Sequence, residues 1–262
     1  AATWSTIKPN DLHLKPGVLM GDVTQLGFAR ALDKMMSPCQ GSHSELSENL
    51  GLVYDCYENS SSKEIDILLL GNSHAAHLIP GIRSVFPEVK VRYFSFRGGY
   101  SSGNNELRQT LEDWTKSGSK AKYLFINSFW EIEDIDAGEI KRTIELTKIP
   151  NQDTFVFDDV PNFKISPVRC KYSVIFPIPA PCNESLPRFT SGVQEFGEFI
   201  KMALPNVNVV SSSRFFYLGA GDLYSLSDES SIFFRDQNHL NVLGSRALLR
   251  YLVTKKHIPD LG

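Results

Sequence analysis

The sequence predicts a three-layer α/β/α sandwich on a five-stranded parallel sheet, with an N-terminal extension packed against it. Three observations point there. From residue 65 onward, strand-like runs alternate with segments of helical periodicity. The strand-like runs are nearly continuous in apolar residues, as in strands covered on both faces. The first of them, Ile65-Asp66-Ile67-Leu68-Leu69-Leu70, stops abruptly in a small polar turn, Gly71-Asn72-Ser73-His74. Ligands of parallel sheets bind outside the carboxyl ends of the strands, and this turn sits at that rim.

Residues 1–64 precede the alternation. A helix fits 24–36, and the polar stretch 37–62, which holds Cys39 and Cys56, reads as a stapled loop. Alone, a segment of that size would be marginal, so it is expected to pack on the domain formed by 65–262. Strands are expected at 65–70, 89–96, 122–127, 154–158 and 207–211, in the order 2-1-3-4-5. Helices are expected at 75–86, 104–116, 135–147 and 186–203. A last one fits 242–255, where Leu243, Ala247, Leu248, Tyr251 and Leu252 share one face. The stretch 161–187 is rich in proline and aromatics and too long for an ordinary connection, which suits a functional loop at the rim.

Composition narrows the partners. A formal net charge of -3 with no Lys/Arg cluster argues against nucleic acid. Apolar runs such as 67–70 and 123–126 are strand-sized, far short of a bilayer span. No signal peptide is visible at Ala1, which suits a soluble protein or a soluble part of a longer one. Four cysteines allow three pairings, of which Cys39–Cys56 and Cys170–Cys182 are the simplest; four buried free thiols are the alternative. Two glycosylation sequons, Asn59-Ser60-Ser61 and Asn183-Glu184-Ser185, favour the oxidising side of a membrane. Each bridge would contribute about 2–4 kcal/mol, mainly by restricting the unfolded chain.

The chemistry follows from two segments far apart in sequence. A serine hydroxyl needs a base to take its proton during attack. Ser73 stands where strand gives way to helix, so its side chain can project above the sheet and nearby amides can stabilise negative charge. Asp236-Gln237-Asn238-His239-Leu240-Asn241 supplies the base, His239, and Asp236 to orient it. Asn241 is placed to cap the final helix. His74 and His77 lack an obvious third ligand, so rim or core packing is expected rather than a metal site. Asp158-Asp159 reads as a strand end facing solvent or arginine. A Ser-His-Asp mechanism needs no cofactor.

Gly71-Asn72-Ser73-His74 after a strand, with Asp236-x-x-His239-Leu240 before the last helix, resembles the SGNH (GDSL-type) hydrolase superfamily. More narrowly it is similar to the SGNH-like C-terminal domain of acyltransferase-3-type membrane O-acyltransferases. The resemblance covers 65 to the C-terminus and implies an SGNH/flavodoxin-like sheet. It implies oxyanion donors at the Ser73 amide, at Gly98 or Gly99, and at Asn127, and a pocket near His74 and Trp130. Asn72 stands where the family usually has aspartate, and the usual Gly-x-Asn-Asp is replaced by Asn127-Ser128-Phe129-Trp130. The implied activity is O-acyl (acetyl) transfer to a hydroxyl acceptor such as a carbohydrate or lipid. The implied partner is a transmembrane acyltransferase domain, and the implied location is extracellular or in the ER/Golgi lumen, tethered to a membrane. A secreted carboxylesterase or deacetylase would use the same residues with water as acceptor. Asn72 and the altered third block also fit a catalytically impaired binding module.

Overall fold

Strands that are apolar on both faces need cover on both sides, and that requirement sets the architecture. The computed structural model describes residues 25–39, 55–96, 105–130, 136–149, 152–163, 187–217 and 232–261. Among them lie strands β1 (Ser37–Pro38), β2 (Asp55–Glu58), β3 (Glu64–Gly71), β4 (Val91–Ser95), β5 (Lys120–Asn127), β6 (Asp153–Phe157) and β7 (Asn208–Val210). They form one sheet ordered β1-β2-β4-β3-β5-β6-β7. Its parallel part, β4-β3-β5-β6-β7, has the expected 2-1-3-4-5 order.

The sheet has seven strands rather than the expected five. The two extra strands, β1 and β2, pair antiparallel at the edge beyond β4 and come from the stretch expected to be a loop. Neither carries the apolar run that marks a buried strand; Asp55-Cys56-Tyr57-Glu58 is an edge sequence. The Cys39–Cys56 disulfide, with Cα atoms 5.3 Å apart, joins the end of β1 to β2. Cys170 and Cys182 lie outside the described residues. Asn59 anchors the neighbouring strand: its Nδ2 donates to the Val89 carbonyl at 2.9 Å and its Oδ1 accepts from the Val91 amide at 2.7 Å.

The helices are α1 (Gln25–Met35), α2 (Ser73–Ala76), α3 (Ile79–Val85), α4 (Asn105–Lys116), α5 (Ala137–Thr147), α6 (Pro187–Ala203), α7 (Ser213–Phe216) and α8 (Val242–Thr254). The helix expected over 75–86 is therefore two, because Pro80 at the start of α3 has no amide to continue the ladder. Alternation along β3 divides the core into two layers. Ile67 and Leu69 face Ile79, Ile82, Leu248 and Leu252 on α3 and α8. Leu68 and Leu70 face Leu107, Leu111, Ile140, Phe196 and Ile200 on α4, α5 and α6. Among the described residues no helix is long and apolar enough to cross a membrane.

Candidate active site

The turn Gly71–His74 is built by close packing at the end of β3. Gly71 has φ +151°, and a Cβ there would lie 1.6 Å from the Asn127 carbonyl oxygen, so only glycine fits between β3 and β5. Asn72 caps α2: its Oδ1 accepts from the His74 amide at 2.9 Å and from the Phe129 amide at 3.1 Å. Its carbonyl accepts from the Tyr93 hydroxyl at 2.8 Å. Asn72 thus ties the turn to the segment after β5 through one neutral oxygen. Ser73 follows, exposed at the rim.

The second segment is a closed turn. Phe234 and Leu240 form a bridge, and the Arg235 amide donates to the His239 carbonyl at 2.9 Å. Asp236 Oδ1 accepts from the amides of Asn238 and His239 at 3.0 and 2.8 Å. Buried Asn241 bonds the Ile232 carbonyl through Nδ2 and caps α8 by accepting from the Gly244 amide, as expected. Gly244 lies so close to the Phe233 backbone that a Cβ would come within 2.1 Å of its oxygen. The spacing Asp236-x-x-His239-Leu240-Asn241-x-x-Gly244 therefore reads as two chemical residues, one core leucine, one cap and one contact glycine.

These turns meet. His239 Nε2 lies 2.7 Å from Ser73 Oγ, and His239 Nδ1 lies 2.9 and 3.0 Å from the two Asp236 oxygens. A carboxylate can only accept, so Nδ1 carries the proton and Nε2 presents its lone pair to the serine. Burial works against ionised Asp236. The hydrogen bond from His239 and the two backbone amides outweigh it and hold the carboxyl down at about 2. Asp236 stays ionised at neutral pH.

A second histidine–aspartate pair lies beneath. His74 Nδ1 is 2.6 Å from Asp159 Oδ1, and both side chains are buried. The His74 ring packs against His239, His77 and Phe129, with centroids 4.6, 5.2 and 5.1 Å away. His77 is held neutral: burial above all, with the neighbouring Arg235 guanidinium acting the same way, pushes its pKa well down. The strand-end aspartates differ from expectation. Both are buried, with Asp158 bonded to the Ser213 amide and hydroxyl at 3.1 and 2.9 Å and Asp159 to His74. Burial, partly offset by these Ser213 bonds, raises Asp158 to about 7. The sequence hint for Asp159 is its place just past the end of β6, at the rim that holds Ser73.

Asn127 is buried, and its Nδ2 donates to the His74 carbonyl at 2.8 Å. Trp130 donates from its indole nitrogen to the Phe157 carbonyl at 2.8 Å and stacks on Phe196 with centroids 4.6 Å apart. Gly98, Gly99 and Asn183 lie outside the described residues. Among the described residues no cluster of three or more His, Cys, Asp or Glu side chains could hold a metal ion.

The family model described as the SGNH domain (fused to AT3 domains) matches residues 38–253. The sequence matches no curated protein. Among solved structures, the fold is shared with the periplasmic domain of a lipopolysaccharide acetyltransferase from Salmonella ser. Paratyphi A. That match has a TM-score of 0.54 and 14% identity, over 74% of this chain and 84% of the other. A variant of Axe2, an acetyl-xylooligosaccharide esterase from Geobacillus, aligns with a TM-score of 0.43 and 14% identity, over 76% of this chain and 96% of the other.

Proposed function

This chain belongs to the family of SGNH domains fused to AT3 domains, and we propose that it catalyses acyl-ester chemistry through a Ser73 nucleophile. One observation carries the reading: the unbroken line from Ser73 Oγ to His239 to Asp236, every link between 2.7 and 3.0 Å. Ser73 Oγ attacks an ester carbonyl while its proton passes to His239 Nε2. Asp236 stabilises the imidazolium. The bond to the departing alcohol then breaks as that proton is returned to it, leaving an acyl-serine. An acceptor hydroxyl attacks the acyl-serine, gives its proton to Nε2, and the Ser73 bond breaks as the proton goes back to Oγ.

The oxyanion is assigned to the Ser73 amide, with Asn127 and Gly99 as further candidate donors. Asn127 already spends one Nδ2 hydrogen on His74, so its help is limited to the other. A missing donor costs about 2.7–4 kcal/mol, and the domain alone is accordingly expected to be slow.

The acceptor is proposed to be a hydroxyl of a carbohydrate or lipid and the acyl group acetyl, delivered across a membrane by an AT3-type partner domain. The family's fusion to AT3 domains and the oxidised Cys39–Cys56 pair support that extracytoplasmic assignment. Hydrolysis is a second activity favoured by a specific feature. Ser73 is exposed, so water can reach an acyl-serine when no acceptor is bound. The test is turnover of p-nitrophenyl acetate with and without an added sugar, followed by product analysis. An O-acetylated sugar means transfer, acetate alone means hydrolysis, and no turnover by folded protein means a binding module.

A further inference from the structure

The proposed oxyanion donor, the Ser73 amide, belongs to a peptide unit whose other polar atom is the Asn72 carbonyl oxygen. That peptide is planar and trans, so its N–H and C=O point to opposite edges. Whatever fixes the direction of the Asn72 oxygen therefore fixes the direction of the Ser73 N–H. Three donors meet the oxygen: the amides of Ala75 and Ala76 at 2.9 and 3.2 Å, and the Tyr93 hydroxyl at 2.8 Å. The two amides belong to α2 and move with it. The Tyr93 bond differs in kind, because it reaches the turn from β4.

A carbonyl oxygen can only accept, so the single hydroxyl hydrogen of Tyr93 is committed to Asn72. The ring behind it is fixed. It is 2% exposed, packs in the core layer that holds α3 and α8, and stacks on Tyr57 of β2 with centroids 6.2 Å apart. The Ser73 amide donates to no acceptor among the described residues, so its aim is set from the carbonyl side and by the helix that follows. A hydrogen bond to the carbonyl also polarises the whole amide and makes its N–H a better donor, by about 10–30% per bond. We infer that Tyr93 is a positioning residue for the oxyanion donor: its hydroxyl holds the Asn72–Ser73 peptide by the oxygen, so that the Ser73 N–H stays aimed at the reacting carbonyl. The inference rests on the acyl-serine reading for its kinetic consequence, while the hold on the peptide stands apart from it.

The test uses the full chain with p-nitrophenyl acetate and its thiono analogue, in which sulfur replaces the carbonyl oxygen and accepts hydrogen bonds poorly. Tyr93→Phe removes one hydroxyl and keeps the ring that packs on Tyr57. Its kcat on the oxygen ester is expected to fall roughly 5- to 30-fold with KM within about twofold, less than the about 10²- to 10³-fold typical of losing a donor outright. The thiono ester, which gains little from the donor, should lose no more than about twofold. A merely structural role would slow both esters alike. Unchanged kcat, or equal losses on the two esters, overturns the inference. Nitrogen NMR gives a readout independent of turnover: the Ser73 amide nitrogen should move upfield in Tyr93→Phe, because the carbonyl of its peptide loses a hydrogen bond. If the wild type proves inert toward both esters, the acyl-serine reading fails. The hold on the peptide is then decided by this resonance alone, an upfield shift supporting it and an unmoved resonance overturning it.

Discussion

Among the described residues two histidine–aspartate pairs lie a few ångströms apart, and the proposed chemistry uses one of them. His239–Asp236 and His74–Asp159 share residue types and a short Nδ1–carboxylate bond, 2.9 and 2.6 Å. The first pair is 19% and 29% exposed, and its other ring nitrogen meets a serine hydroxyl at the rim. The second is 2% and 5% exposed and enclosed by the rings of His77, Phe129 and His239. A hydrogen-bonded imidazole becomes a base through what its second nitrogen faces. Deprived of solvent, the same pair becomes a strut. His74 ties the turn that carries Ser73 to the segment just past β6 and gives His239 a floor.

The sharpest way to break this contrast is to damage each pair in turn. Asp236→Asn should leave the fold intact and cut kcat about 10⁴-fold, because an amide no longer enforces the tautomer with Nε2 free. Steady-state ester hydrolysis checks it. His74→Ala should act chiefly on stability, costing about 3–5 kcal/mol in a urea titration, because it strands a buried carboxylate. A 10⁴-fold rate loss at unchanged stability would instead make the inner pair catalytic.

Two smaller effects sharpen the picture through pH. Asp158, raised to about 7, stays protonated in the folded protein where the unfolded chain has already ionised it. Wild-type stability should therefore decline between about pH 4 and pH 7 and then level off. Asp158→Asn, near-isosteric toward Ser213, should gain on the wild type by on the order of 4 kcal/mol across that interval. Asp236 has the opposite sign. Depressed to about 2, it stabilises the fold above the unfolded value and loses that contribution as pH falls from about 4 to about 2. Partial exposure limits the amount to about 1 kcal/mol, read by comparing the acid unfolding of wild type and Asp236→Asn.

Much of the scaffold is legible because each buried strand announces itself by an apolar run, and each helix between strands by its period. Ser73, Asp236 and His239 stand out because turn, cap and contact glycine surround them at short range. What escapes the sequence depends on long-range partners. The strands β1 and β2 are two and four residues long, and they exist only because β4 offers an edge. The break between α2 and α3 turns on Pro80, whose effect is local but easily overridden by an apolar periodicity that runs through it. Asp159 meets His74 across 85 positions and Phe28 meets Arg235 from the far end of the chain, with no spacing rule to reveal either.

The most direct measurement is reaction of the folded protein with a fluorophosphonate, followed by intact mass and identification of the labelled peptide, with His239→Ala alongside. An activated Ser73–His239 pair predicts one adduct, on Ser73, that disappears in His239→Ala. No adduct on the folded wild type, or one that survives loss of His239, would contradict it.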